Sequence, residues 1–482
     1  MKNYFAQTIW LTGLVLALLL SLSFLPENFQ IGDFALRKMD ILADLRPDVS
    51  PLGNPADSSE ALLSDTLLVD SSLLRVDTLN RIDSAHLAVA PPALRPIVDS
   101  FQFGRIIEDY TFDQQGLNRF FAAVDSIRTH KRTVRVAFYG DSFVEGDILL
   151  GDLRDTLQTL WGGGGVGFVP ITSEVAQFKR TIKHQYKGWT PHSIVKRDGN
   201  ERPYGLNGFV YVPSPEAKVH YEGADYFRNT RYWSQVRLFY TATRPVPFIY
   251  QNEGAEPRQE RLSADADNLK VWKWDLPLSS MRAVAFRFPD TPGLLLYGAT
   301  LENGPGIYWD NFSLRGNSGG PLLRIKPDMI QQFDRLQHYD LVVVQLGLNA
   351  VTNTLTNINW YQAELDRTFK HLRTCFPGKP ILIVSVGDRG GKIGTELATM
   401  RGVPAIATMQ RNLARKYGYL FYDLYHGMGG PGTMIRFAQH RPRLANLDYT
   451  HLTHEGGRVV GYQLANLFLQ EQAKYKSHLS NF

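Results

Sequence analysis

The hydrophobic pattern of the chain changes along its length. Nearly continuous apolar runs are typical of strands buried on both faces of a sheet. Four such runs occur: VRVAFYG (134–140), LVVVQLG (341–347), ILIVSVG (381–387) and YLFYDLY (419–425). Between or after these runs, apolar residues recur at helical spacing, as in WYQAELDRTFKHL and GRVVGYQLANLFLQ. The alternation of strands and helices predicts a three-layer α/β sandwich with a mostly parallel sheet.

The middle of the chain breaks this alternation. Residues 176–304 contain short alternating or aromatic runs such as AKVHYEG, WSQVRLFYTAT and RAVAFRFPD, separated by turn residues. This pattern is typical of an antiparallel β-sandwich. We therefore predict a β-sandwich at 176–304 that interrupts an α/β domain, whose two parts are residues 106–175 and 305–482.

The first hundred residues have a third pattern. Residues 4–25 carry no charge and are long enough to cross a bilayer. A cleaved signal peptide is the alternative, but no clear small-x-small cleavage site follows, which favours an uncleaved N-terminal membrane anchor at 1–25. Residues 26–105, rich in Asp, Ser, Leu and Pro, are predicted to form an extended linker.

Composition narrows the classes of protein that the chain can belong to. The chain has 482 residues, more than a domain with a single hydrophobic core usually contains, so two or three domains are expected. The net charge of +5 is small and the basic residues are scattered, so no nucleic-acid surface is expected. The single cysteine, Cys375, excludes an intramolecular disulfide framework and a multi-cysteine zinc site.

Polar clusters follow or flank the predicted parallel strands, at the sheet edge where ligands bind in open α/β folds. They are Gly140-Asp141-Ser142, Gly347-Leu348-Asn349 and Asp448-Tyr449-Thr450-His451. Ser142 could cap a helix predicted to begin near Val144, or it could be a nucleophile polarised by that helix. A nucleophilic serine needs a base and a group that orients the base, which His451 and Asp448 could supply. Together these clusters favour nucleophilic catalysis.

Other motifs leave alternatives open. Asp388 and Arg389, at the end of a predicted strand, could contact substrate or form a structural ion pair. Trp233, Trp272 and Trp274 fit a sandwich core better than sugar-stacking positions. WGGGGVG lacks the Lys-Ser/Thr ending of a phosphate loop and reads as a glycine turn. We expect no bound metal and no cofactor.

The chain resembles the GDSL or SGNH hydrolase superfamily. The resemblance rests on four blocks in order: GDSF (140–143), RGNSGG (315–320), GLNA (347–350) and DYTHLTHEG (448–456). It implies a catalytic triad of Ser142, Asp448 and His451. It also implies an oxyanion hole formed by the backbone N–H groups of Ser142 and Gly319 and by the side-chain amide of Asn349. Ala350 departs from the usual G-x-N-D block.

The β-rich interruption between the first two blocks is similar to the peptidoglycan O-acetylesterase branch, in which a carbohydrate-binding-like β-sandwich interrupts the catalytic domain. This implies an extracytoplasmic serine esterase that removes O-acetyl groups from a cell-wall glycan, peptidoglycan first. Through residues 4–25 it would be held on the inner membrane, on the periplasmic side in a double-membrane bacterium. The alternatives are an O-acetyltransferase that uses the same triad with a membrane acyl-transfer partner, and a non-catalytic glycan-binding protein.

Overall fold

The described part of the chain covers the predicted folded region almost completely. A computed structural model describes residues 104–480 except 197–200, 277–279 and 355–357, together with Trp10, Gln30–Ile31 and Phe34–Ala35. The predicted anchor and nearly all of the predicted linker lie outside the described residues. Among the residues described, no helix has the length and apolar character to cross a membrane.

The chain divides into two units, Met1–Leu68 and Val69–Phe482. In the first unit, the two-residue strands β1 (Gln30–Ile31) and β2 (Phe34–Ala35) pair antiparallel. The strands of the second unit are β3 (Glu108–Asp109), β4 (Val134–Gly140), β5 (Gly167–Val169), β6 (Ile182–Ser193), β7 (Phe209–Gly223), β8 (Gln235–Ala242), β9 (Val246–Asn252), β10 (Arg258–Leu262), β11 (Asp265–Asp275), β12 (Ala283–Phe288), β13 (Leu294–Glu302), β14 (Ile307–Ser313), β15 (Leu341–Gln345), β16 (Ile381–Val384), β17 (Gly390–Ile393), β18 (Glu396–Thr399) and β19 (Leu420–Tyr422). Its α-helices are α1 (Asn118–His130), α2 (Leu150–Trp161), α3 (Pro327–Gln337), α4 (Ile358–Cys375), α5 (Gly402–Tyr417), α6 (Leu424–Gly427), α7 (Thr433–Gln439) and α8 (His454–Leu479).

The site is built on a six-stranded sheet with the order β14-β4-β15-β16-β19-β3. Every neighbouring pair is parallel except β19 with the short β3. All residues of β4 and β15 are buried, which explains their apolar runs. One face of the sheet packs against α3, α4 and α5, and the other packs against α1, α2 and α8. The predicted three-layer α/β sandwich with a mostly parallel sheet is confirmed.

A nine-stranded antiparallel sheet interrupts this sandwich between β4 and β14. Its order is β10-β9-β12-β7-β13-β8-β11, and β5 and β6 pair with β13 and β7 respectively. The sheet extends from Gly167 to Glu302, so it begins before residue 176, the limit that the sequence predicts. Trp233 and Trp274 lie in its buried core, as expected of core residues, whereas Trp272 is half-buried.

A buried ion cluster joins the two sheets. Arg135 on β4 forms two hydrogen bonds of 2.6 Å to Glu302 at the end of β13. Its guanidinium also lies 4.0 Å from the carboxylate of Asp310 on β14. Side-chain exposure is 2% or less for all three residues. Because these charges are buried together, each requires the others to remain stable away from water.

Candidate active site

The nucleophile candidate Ser142 lies on the turn that follows β4. Phe143 N–H donates to the Asp141 carboxylate at 3.0 Å, which holds the turn. The structure corrects one expectation here, because no α-helix begins near Val144. A short 3-10 turn at Glu145–Asp147 comes first, and α2 begins only at Leu150. Gly146 and Asp147 have φ values of +72° and +61°, a left-handed conformation that interrupts an α-helix.

The structure brings Ser142, His451 and Asp448 together. The Nε2 atom of His451 lies 3.0 Å from the Oγ atom of Ser142, and its Nδ1 atom lies 2.7 Å from Oδ2 of Asp448. The other carboxylate oxygen of Asp448 accepts from the backbone N–H groups of His451, at 3.0 Å, and Thr450, at 2.9 Å. A nucleophile, a base and an orienting carboxylate are thus within hydrogen-bonding distance of one another.

The electrostatics of this loop keep Asp448 ionised. Partial burial raises the pKa of its carboxyl group, but hydrogen bonds from the His451 ring and from the backbone of His451 and Thr450 outweigh burial and hold the pKa below its ordinary value. An ionised Asp448 orients the imidazole and stabilises an imidazolium. The side chain of His451 is 38% exposed, so the base is accessible from solvent.

The predicted oxyanion-hole residues lie around Asn317. The side-chain amide of Asn349 donates to the carbonyl of Asn317 at 3.2 Å, which leaves its second N–H for another acceptor. The backbone N–H of Gly319 donates to Oδ1 of Asn317 at 3.0 Å. This N–H would have to be shared with an oxyanion, a detail that the sequence does not reveal. Gly319 has φ +110°, and a Cβ there would lie 2.8 Å from Leu365, so the position requires glycine.

Two buried residues that the sequence analysis did not select hold the blocks together. Asp141, fully buried, accepts from Phe143 N–H and, at 3.1 Å, from Leu348 N–H, and so links the serine turn to the loop of Asn349. Asn317, also fully buried, donates to the Gly140 carbonyl at 3.4 Å. Both lie inside the GDSF and RGNSGG blocks, and their signal was a polar side chain at a position where burial is expected.

Asp388 and Arg389 have positioning roles in this structure. Asp388 is 0% exposed, and its carboxylate accepts from Thr399 Oγ1 at 2.7 Å and from Met434 N–H at 2.8 Å. A side chain buried in this way does not contact substrate, which corrects our expectation for Asp388. Arg389 donates to the Leu348 carbonyl at 3.0 Å, beside the loop of Asn349. The next residue, Gly390, donates its N–H to the carbonyl of Tyr449, between Asp448 and His451, at 2.8 Å.

Replacing Asn349 by alanine is expected to lower kcat for acetyl-ester hydrolysis by about 10²–10³, or about 3 kcal/mol, because one donor to the developing oxyanion is lost. KM should change little. The measurement is steady-state hydrolysis of an aryl acetate. Asn353→Ala is the matched control, since this half-buried asparagine donates to the Lys392 carbonyl and has no proposed role in the reaction. That variant should keep its activity within about threefold. Equal kcat values for the two variants would contradict the assignment of Asn349.

Asp141 is expected to make stability depend on pH. Burial raises the pKa of its carboxyl group to about 6, although hydrogen bonds from Phe143 and Leu348 and the charge of His451 act in the opposite direction. Since this folded-state pKa exceeds the ordinary value of 3.8, the contribution is full below about pH 4 and is lost as pH rises through about 6. Its size is about 3 kcal/mol. Denaturant unfolding at about pH 4 and about pH 7.5 should show this loss in the wild type and not in Asp141→Asn. Parallel pH profiles would contradict it.

Comparisons with known proteins support the fold. No family model and no curated protein sequence matches the chain. A solved structure described as a peptidoglycan O-acetylesterase in action matches 76% of this chain and 99% of its own, with 19% identity and a TM-score of 0.61. The chain shares its fold with this peptidoglycan O-acetylesterase. The fold expected from the resemblance to the peptidoglycan O-acetylesterase branch is therefore confirmed.

More distant structures also match. A family two carbohydrate esterase from Cellvibrio japonicus matches 64% of this chain and 98% of its own, with 9% identity and a TM-score of 0.26. A family 29 carbohydrate binding module matches 29% of this chain and 93% of its own, with 15% identity and a TM-score of 0.19. Their TM-scores are too low to add to the argument. On this fold the serine, histidine and aspartate are placed so that the histidine can activate the serine hydroxyl as a nucleophile.

Proposed function

We propose that the protein is a serine esterase that removes O-acetyl groups from a glycan through an acyl-enzyme on Ser142. The observation that carries the proposal is the 3.0 Å contact between Ser142 Oγ and His451 Nε2, with Asp448 on the other ring nitrogen. A non-catalytic glycan-binding protein would have no need of this arrangement. Ala350, which stands where the G-x-N-D block has an aspartate, does not disturb the arrangement of these three residues.

In the first half-reaction, Ser142 Oγ attacks the acetyl carbonyl carbon while its proton passes to His451 Nε2. Asp448 stabilises the imidazolium that forms. The carbonyl oxygen becomes an oxyanion, which would accept from the Asn349 amide and from the backbone N–H groups of Ser142 and Gly319. As the C–O bond to the sugar breaks, His451 returns the proton to the sugar oxygen, and the acetyl group stays on Ser142.

Water completes the cycle in the second half-reaction. The water oxygen attacks the acyl carbon while His451 takes a proton from the water. The bond between the acyl carbon and Ser142 Oγ then breaks, His451 returns the proton to Oγ, and acetate leaves. The side chains of His451 and Asp448 are 38% and 48% exposed, so water can reach the base. This exposure supports water as the acceptor of the acetyl group. An O-acetyltransferase would instead place a sugar hydroxyl at this point, by the same chemistry.

Peptidoglycan is the substrate that we propose. The support is the fold shared with the peptidoglycan O-acetylesterase. We also propose a location outside the cytoplasm, on the periplasmic side of the inner membrane in a double-membrane bacterium. The support there is the uncharged stretch at 4–25 and the linker-like composition of 26–105.

The test uses the full chain in mild detergent with O-acetylated peptidoglycan and, separately, acetylated xylan. We expect the wild type to release acetate from peptidoglycan and the Ser142→Ala variant to release none. If acetate is released faster from acetylated xylan than from peptidoglycan, xylan becomes the better candidate substrate. Failure to release acetate from either glycan or from an aryl acetate would overturn the esterase proposal. If an added oligosaccharide accelerates the turnover of aryl acetate and itself becomes acetylated, the result would favour the transferase.

A further inference from the structure

A cleft of about 130 Å³ lies between the turn after Ser142 and the nine-stranded sheet. On the catalytic side, its lining includes Glu145 on the turn that carries Ser142 and Ser313 at the end of β14. Ser313 pairs in register with Gly140, two residues before the nucleophile. On the other side, the half-buried Phe209 of the nine-stranded sheet provides aromatic surface, with Phe168 almost fully buried behind the lining. The lining contains no residue of the proposed triad, so a ligand in the cleft would lie next to the turn that carries Ser142.

The cleft contains an excess of positive charge. Five charged side chains line it, and four of them form two ion pairs, Arg315 with Glu145 at 2.9 Å and Lys196 with Glu174 at 3.0 Å. The fifth is Lys179. Within the described ranges, the Lys179 ammonium has no ion pair within 4.0 Å and no hydrogen bond.

The nearby carboxylate of Asp147 lies beyond ion-pair distance of Lys179 and acts on it only through its charge. It is buried and already engaged, by the Arg154 guanidinium at 3.5 Å and by hydrogen bonds from Thr181 at 2.7 Å and Asn311 at 2.8 Å. Burial lowers the pKa of Lys179, although Asp147 acts in the opposite direction. The side chain of Lys179 is half-buried, so its ammonium is still reached by solvent. An anion that binds in the cleft would give this ammonium a charged hydrogen bond that no described side chain supplies.

We propose that this cleft binds a carboxylate of the glycan substrate, with the Lys179 ammonium as its partner. One unpaired lysine matches one negative charge, which is the charge of a carboxylate, whereas a phosphate monoester brings nearly two. Phe209, which is half-buried, offers apolar surface to the carbon face of a sugar ring. This inference rests on the proposed function and narrows it, since the preferred substrate is an acidic glycan whose carboxylate lies close to the acetylated sugar.

The experiment compares two forms of one glycan on the full-length protein: O-acetylated peptidoglycan, and the same material after its carboxylates have been amidated with a carbodiimide. Alkaline release establishes that both forms carry equal acetate. For the wild type, we expect kcat/KM to fall about tenfold on amidation, the size of a lost charged hydrogen bond. In Lys179→Met the two forms should react with the same kcat/KM, and Lys179→Arg should keep most of the preference.

Lys183→Met is the matched control. Lys183 lies outside the cleft, is 56% exposed and pairs with Glu222 at 2.7 Å, so its loss removes one positive charge without touching the site. This variant should keep the wild-type preference. Circular dichroism checks that Lys179→Met is folded. If it does not fold, Lys179→Gln takes its place, with the same expected loss of the preference for the acidic form.

Each outcome supports or overturns the inference. Equal kcat/KM for the two forms in the wild type overturns it, and so does a preference that survives in Lys179→Met. Equal loss of preference in Lys183→Met assigns the effect to overall charge and also overturns it. If the wild type hydrolyses neither form, the proposed function fails together with this site. If the wild type releases acetate equally well from the acidic and the amidated glycan, the proposed function stands and only the carboxylate site is overturned.

Discussion

Replacement of Ser142 by alanine is expected to lower kcat for acetyl-ester hydrolysis by a factor of about 10⁶, because no acyl-enzyme can form. Ser142 Oγ contacts the base His451 at 3.0 Å, and its removal leaves a backbone that carries only part of the oxyanion hole. The measurement is hydrolysis of an aryl acetate together with acetate release from glycan. Mass spectrometry should detect a serine-reactive phosphonate on the wild type and not on the variant.

The matched control is Ser126→Ala. Ser126 is a half-buried serine on α1, a helix that holds none of the proposed site residues, and its hydroxyl donates to the Ala123 carbonyl at 2.6 Å. Its loss should change kcat by less than about twofold. Residual activity of Ser142→Ala above about one hundredth of wild type would assign the nucleophile to another group.

Replacement of Arg135 by methionine is expected to lower the free energy of unfolding by about 3–5 kcal/mol. Glu302 would lose two charged hydrogen bonds of 2.6 Å while staying buried, and Asp310 would lose the same cation. Glu302 would keep only Arg237 as a cationic partner, at 3.2 Å. Methionine fills a similar volume to arginine, so the loss of stability would report the weakened charge pairing of the two carboxylates and not a cavity. The measurement is denaturant unfolding followed by tryptophan fluorescence.

Two further variants separate charge from packing at Arg135. Arg132→Met removes a neighbouring arginine that is 46% exposed and pairs with Asp340, and a surface pair of this kind should cost less than about 1 kcal/mol. Adding Glu302→Gln to Arg135→Met should recover part of the lost stability, since it removes a buried negative charge that would have only Arg237 as a partner. A double variant less stable than Arg135→Met alone would contradict this interpretation.

The sequence predicts well where burial makes a strand uniformly apolar. The run at 134–140 is β4 in full, and the three later runs contain β15, β16 and β19. It does not reveal β14 as a strand of the same sheet, because IYWDNFS places Asp310 and Asn311 in the middle of the segment. Asp310 is tolerated there because Phe168 N–H and the Tyr339 hydroxyl, both at 2.8 Å, donate to it. These partners are distant in sequence and leave no local signal.

The candidate site also has parts that the sequence predicts and parts that it does not. The D-x-x-H spacing predicts the contact between Asp448 and His451, because a short loop places both side chains within reach. The predicted helix near Val144 is wrong because the left-handed Gly146 and Asp147 are stabilised by contacts from elsewhere, including Asn311 with Asp147 at 2.8 Å. The unpaired ammonium of Lys179 is likewise a property of the assembled cleft, since no pattern in the sequence shows which charges form pairs.

The position of β14 beside β4 has a consequence for biosynthesis. The 166 residues from 141 to 306 separate the two strands, and the nine-stranded sheet lies within that interval. During translation, β4 cannot obtain its neighbour β14 until the whole interval has emerged from the ribosome. His451 follows Ser142 by 309 residues, so the contact between them forms only near the end of synthesis. We therefore expect the nascent chain to fold its antiparallel sheet first and to gain hydrolytic activity last.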